Sequence, residues 1–173
     1  MKYINYISTV VLIPPLKLHK SRGSIVSTIK FMNERIKEGE MIMFKELQEN
    51  GWKYYIKENK AYIVGVPKAE QSTLVVPEML GGYPVVEVVF YMASLRGYTS
   101  IHLSKNIKYF DASCLDENVN NISIDEDNKI FSVKNGILYS KDFKKIISFP
   151  PAKKDFNASC FEGIESIGDG AFC

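Results

Sequence analysis

Residues 101–124 read IHLSKNIKYFDASCLDENVNNISI, and this stretch decides the fold. It opens on Ile101-His102-Leu103 and closes on Ile122-Ser123-Ile124, two short alternating segments offset by 21 residues. Between them Ile107, Phe110 and Leu115 are spaced three and then five. The same spacing recurs at Ile164, Ile167 and Phe172, and again at Val85, Val88 and Ala93 with a smaller last residue. A unit of one short strand and one apolar turn, about 21 residues long, falls in the size range of leucine-rich repeats. Such a unit cannot bury its apolar edge alone and must stack on its neighbours.

Upstream, the period is also that of strands. Trp52, Tyr54 and Ile56 alternate, Glu58-Asn59-Lys60 is a turn, and Tyr62, Val64 and Val66 return, which predicts a β-hairpin over residues 52–66. Leu74-Val75-Val76-Pro77 and the turn cluster Gly81-Gly82-Tyr83-Pro84 follow. Downstream, Phe131 and Val133 lead through Asn135-Gly136 into Ile137-Leu138-Tyr139, a Lys141-Asp142 turn and Ile146-Ile147-Ser148-Phe149. Asn-Gly between apolar residues predicts a hairpin inserted over residues 131–149. Pro150-Pro151 ends it, and the repeat pattern resumes at Phe156.

Residues 1–50 differ. They open on an apolar run from Tyr3 to Leu16 behind a single lysine, broken by Asn5 and by Pro14-Pro15, with no small-x-small cleavage site after it. A signal or anchor, a packed strand or loop, and upstream sequence ahead of an internal start such as Met41 or Met43 are all open readings, which leaves the compartment undecided between cell surface, secretion and cytoplasm. The run is shorter than the ~20 apolar residues of a membrane-spanning helix, so no integral span is expected. Ile25, Ile29, Met32 and Ile36 form a helical stripe, which predicts a helix over residues 24–37, and Met41 to Glu49 fits a second short helix before Asn50-Gly51. The expected division is a small helical appendage over residues 1–50 and a repeat domain over residues 51–173.

Composition excludes several classes. The 173 residues are 46% hydrophobic and 24% charged, the balance of a globular chain rather than a disordered one. Basic and acidic residues number 22 and 20, a net of +2, which gives no field to gather nucleic acid. Residues 1–40 hold seven basic and three acidic side chains, so the remainder sums to −2. Three cysteines make no disulfide framework. Cys114 matches the small turn position of Ala171, Cys160 falls at a core position like Leu103, and Cys173 is terminal.

No motif for catalysis stands out. The sequence lacks His-x-x-x-His, Cys-x-x-Cys and Gly-x-Ser-x-Gly, and neither His19 nor His102 has a sequence-adjacent partner, so no enzyme, metal or cofactor is expected. Asp125-Glu126-Asp127-Asn128 invites a calcium loop, but Lys129 stands where an oxygen ligand belongs, and the run reads as a solvated turn. Lys144-Lys145 and Lys153-Lys154 read as charged edges. Asn121-Ile122-Ser123 and Asn157-Ala158-Ser159 are glycosylation sequons, both expected on strands.

Three segments resemble the BspA-like leucine-rich repeat family: Gly81-Gly82-Tyr83-Pro84-Val85, Asn135-Gly136-Ile137-Leu138-Tyr139-Ser140-Lys141-Asp142, and Glu165-Ser166-Ile167-Gly168-Asp169-Gly170-Ala171-Phe172. Trp52-Lys53-Tyr54 through Ala61-Tyr62-Ile63-Val64-Gly65 is similar to the hairpin that opens such domains. The resemblance covers residues 52–173. It implies a right-handed solenoid with a small sheet on one face and irregular turns opposite, no cofactor, and protein–protein binding of the kind seen in bacterial surface and adhesion proteins.

The expected fold is thus a β-rich, short leucine-rich-repeat solenoid with a hairpin cap and an inserted hairpin, preceded by a small helical segment. The expected function is a protein-binding or scaffolding module. Alternation places Ser100, His102, Asn121, Ser123 and Asp125 on the outward face, as candidate contacts for a protein partner. A second reading is a structural segment of a larger array, self-assembling as a homo-oligomer through its open C-terminal end.

Overall fold

The structure, a computed structural model, describes residues 45–88, 95–110 and 115–172. The Tyr3–Leu16 run, the stripe over residues 24–37, His19, Ala93, Cys114 and Cys173 lie outside them. Among the described residues the architecture is β-rich, with twelve short strands and one 3₁₀ turn at Ala158–Cys160. No helix there is long and apolar enough to cross a membrane.

The chain enters as a strand rather than the short helix expected from Met41 to Glu49. Strand β1 (Leu47–Glu49) pairs antiparallel with β2 (Trp52–Lys57), Leu47 opposite Tyr54. Asn50 and Gly51 supply the reason, with φ of 50° and 83°. A two-residue turn with both central residues at positive φ matches the twist of a hairpin and reverses the chain. Glu58 and Asn59 repeat the geometry, at 50° and 57°, between β2 and β3 (Lys60–Gly65).

Two parallel ladders grow from this cap. In the first, β3 pairs with β6 (Tyr83–Val88), Ala61 beside Val85, and Glu87 bridges on to Tyr109 a further 22 residues along. Met79–Leu80 (β5) folds back on the start of β6. In the second, β4 (Thr73–Val75), β7 (Ser100–Leu103) and β8 (Asn121–Ile124) lie side by side, with Leu74, Ile101 and Ile122 in register. The 21-residue offset between β7 and β8 is the sequence period made visible. Among the described residues the first ladder continues past β6 as the single Glu87–Tyr109 bridge.

Alternation does the rest. Leu74, Ile101, Leu103 and Ile122 are all at most 2% exposed and face inward, joined by Val85 and Val88 from the first ladder and by Ile107 from the turn after β7. Each such side chain contributes roughly 1.5–3 kcal/mol by leaving water.

The insertion is a three-stranded meander of β9 (Phe131–Lys134), β10 (Ile137–Ser140) and β11 (Lys145–Ser148), with Asn135-Gly136 at φ of 53° and 76° as its first turn. Strand β10 explains why Ile137-Leu138-Tyr139 is continuously apolar. Leu138 joins the large core, whereas Ile137 and Tyr139 join a smaller one with Ile146, Phe149, Cys160 and Ala171. Beyond the insertion β12 (Ser166–Ile167) returns parallel to β11, again 21 residues on.

The third apolar triplet behaves unlike its equivalents. Ile107 is buried, but Ile164 is only half-buried and Ile167 and Phe172 are more than half exposed. They sit on the terminal turn, which no further described turn covers.

Candidate functional site: the outward rows of the parallel sheet

The in-register pairing of β7 and β8 puts Ser100 beside Asn121 and His102 beside Ser123, on the face turned away from the core. All five candidate residues are half-buried. The structure brings three of them into one array. His102 Nδ1 lies 2.9 Å from Ser123 Oγ, and His102 Nε2 lies 2.9 Å from Asp125 Oδ1. Asp125 Oδ2 accepts from the Lys105 amide at 2.8 Å, which fixes the carboxylate. Lys105 in turn sends its ammonium to Glu78 at 2.8 Å, and that bond holds the ammonium above its ordinary range.

The array is satisfied in either charge state of the imidazole. With a neutral ring, Nε2–H donates to Asp125 and Ser123 O–H donates to Nδ1. With a charged ring both nitrogens donate, and Ser123 turns its proton to the Ile101 carbonyl, 3.4 Å away. The ring is thus clamped between two neighbours, with about a third of its side chain still open to solvent.

A serine, a histidine and an aspartate in hydrogen-bonded sequence also suggest a nucleophile with its base. The main chain around them is committed to the sheet. Ser123 lies mid-strand, with its main chain in the ladder to β7, and the Ile122 amide is given to the Gly136 carbonyl at 3.0 Å. Among the described residues no group of three His, Cys, Asp or Glu side chains is placed to hold a metal ion.

The second row is shaped by the insertion. Gly136 passes directly over Asn121, and at φ +76° a β-carbon there would collide with Asn121 Oδ1. Lys153 lies in the same corner, with only 5% of its side chain exposed, and its ammonium reaches Asp155 at 3.0 Å. That bond holds the Asp155 carboxyl below its ordinary range. The expected charged edge therefore covers Lys154 but not Lys153, which is buried. Lys144 is exposed just ahead of β11, which lies inside its sheet, and pairs with Glu165 at 2.8 Å.

Two further expectations change. The acidic run is not simply a solvated turn, because Asn128 is fully buried. Its Nδ2 donates to the carbonyls of Ser104, Lys105 and Ile107, and its Oδ1 accepts from the amides of Ile130 and Phe131. A side-chain amide can satisfy both polarities of a turn at once, where a carboxylate can only accept. Of the two sequons, Asn121 is on β8 as expected. Asn157 instead precedes the 3₁₀ turn, exposed, its Oδ1 taken by the Ser159 amide at 3.0 Å.

Parallel strands in 21-residue register, apolar inside and polar outside, decide the fold. The chain is a short β-solenoid with a 21-residue repeat. No family model matches its sequence, and no curated protein matches it. Among solved structures the solenoid is similar to a leucine-rich repeat protein from Eubacterium ventriosum ATCC 27560, at 22% identity and a TM-score of 0.40, over 58% of this chain and 33% of that one. It is also similar to a leucine rich cell surface protein from Faecalibacterium prausnitzii A2-165, at 17% identity and 0.41, over 75% and 33%. A third likeness is to the pneumococcal vaccine antigen PcpA, at 11% identity and 0.28, over 73% and 61%. The solenoid spans about a third of the length of the first two proteins.

Proposed function

We propose that the solenoid is a protein-binding module whose contact surface is the outward face of β7 and β8. The observation that supports this most is the clamped row of His102, Ser123 and Asp125, with Ser100 and Asn121 in the adjacent row. A side chain already fixed by its neighbours loses little rotamer freedom when a partner docks. The repeat stack supplies the rigid platform, and the partner supplies donors and acceptors to a polar, part-buried strip. The BspA-like segments favour a partner met outside the cell. Protease treatment of intact native cells tests that setting: digestion of the chain before lysis supports it, and protection until lysis overturns it.

The contact surface is tested by photo-crosslinking. A photoreactive residue at Ser100 captures the partner, and the same residue at Glu58, on the cap hairpin, does not. Equal capture from both positions would remove this face from consideration.

A further inference from the structure

We propose that the outer face of β2, β3 and β6 is closed by the helical stripe of residues 24–37, so that this segment is a packed layer of the cap rather than an appendage. The proposal concerns the cap alone and stands or falls independently of the binding face of β7 and β8.

Strand β3 carries the argument. Its residues Ala61, Tyr62, Ile63 and Val64 are buried one after another. A strand with the core on one side and water on the other alternates, and a strand covered on both sides does not. Ala61 and Ile63 join the large core. Tyr62 and Val64 point the other way, are 6% and 9% exposed, and belong to neither core. Val86 on β6 is 1% exposed and also belongs to neither. Tyr55 stacks on Tyr62 with the rings parallel at 5.0 Å, but β2 and β6 lie beside β3 in the sheet, not over it. Lateral neighbours fill the flanks of a side chain, and only a second layer removes its outward end from water.

The occupant follows from the chain that leads into this sheet. Upstream of Leu47 the stripe of Ile25, Ile29, Met32 and Ile36 supplies one apolar face, with Lys30 and Lys37 turned away from it. That pattern suits a layer with a sheet on one side and water on the other. The Tyr3–Leu16 run carries no charged side chain to keep an outer face in water. Length agrees as well. As a helix, residues 25–36 extend ~17 Å, against ~20 Å for the six residues of β3. The chain from residue 37 to residue 46 can reach ~30 Å, and β3 lies two strands from β1, a distance of about 10 Å.

Photo-crosslinking within the full 173-residue chain tests this. A photoreactive aromatic residue in place of Tyr55, half-buried beside Tyr62, should link to residues 24–37 of the same chain, as located by mass spectrometry of the digested monomer. The same residue in place of Val75, on the other parallel ladder, should not. Ile29→Asp with Met32→Asp should abolish the link and lower the melting temperature by at least about 5 °C, whereas Lys30→Gln, on the charged side, should change neither. Should the double variant fold poorly, the link in the otherwise wild-type chain decides by itself. Links from position 55 to residues 3–16, to residues 89–94, to a second copy or to nothing overturn the proposal, as does an unchanged link in a folded double variant.

Discussion

Asn128 sits 21 residues beyond Ile107, the period of the solenoid, and donates its side-chain amide to the Ile107 carbonyl at 2.9 Å. One turn of the stack thereby holds the next through a side chain rather than a strand. The same carboxamide closes its own turn through the Ile130 and Phe131 amides, both at 2.8 Å.

Asn128→Ala should therefore be among the costliest polar substitutions in the chain. It leaves two donors and up to three acceptors short of a partner in a buried corner, for a loss of about 3 kcal/mol. Asn128→Asp should be at least as damaging, because a carboxylate would face three carbonyl oxygens. Thermal melting checks both, with an expected fall of roughly 6–12 °C. A fall of less than about 2 °C would mean that water takes over the bonds and that the turn-to-turn link is dispensable.

This link also shows what the sequence conceals. Asn128 closes the run Asp125-Glu126-Asp127, and charge density argues for solvent exposure. Only the 21-residue register places it under Ile107, in the core. The same register was visible at Ile101 and Ile122, and it orients the outward residues correctly. Carried one step further, it sets Ser123 beside His102, with Asp125 two residues along the same face. The array was thus legible in principle, but a search for local motifs passes over partners 21 and 23 residues away. The Leu47–Glu49 strand was concealed for a different reason. Its three residues carry no alternation of their own, and only the Asn50-Gly51 turn betrays it.

Gly136→Ala should destabilise by about 1–2 kcal/mol, since the added carbon meets Asn121 Oδ1 and the backbone holds φ at +76°. Removing the obstruction with Asn121→Ala should recover part of that loss but not the part owed to the backbone. A double-mutant cycle by denaturant unfolding separates the two. Strict additivity would show that Asn121 and Gly136 do not press on each other.

Ser148 is fully buried on β11, and its hydroxyl has no hydrogen-bond partner among the described residues. Ser148→Ala removes a desolvated hydroxyl while keeping the volume nearly constant. Stability should rise by about 1 kcal/mol in urea unfolding. A loss of similar size would show that the hydroxyl is bonded in solution.

Tyr139 is buried in the small core and donates its hydroxyl to the Cys160 carbonyl at 3.1 Å. Burial raises its pKa above the ordinary 10.0, with the neighbouring Cys160 adding to the shift. The folded state therefore keeps the phenol proton at a pH where the unfolded chain has lost it. Its contribution is complete below about pH 10 and declines as pH rises beyond. Tyr139→Phe should flatten the alkaline fall of the melting temperature, though it costs about 1 kcal/mol at neutral pH from the lost hydrogen bond. Parallel alkaline slopes for the two proteins would contradict this.

The central claim concerns the clamped row on β7 and β8, and affinity for the partner captured at Ser100 tests it most directly. The measurement compares the wild-type chain with His102→Ala and Ser123→Ala, each first shown to melt as the wild type does. The account predicts that each substitution weakens binding at least tenfold, about 1.4 kcal/mol. Wild-type affinity in both folded variants would contradict it and remove this face as the site of recognition.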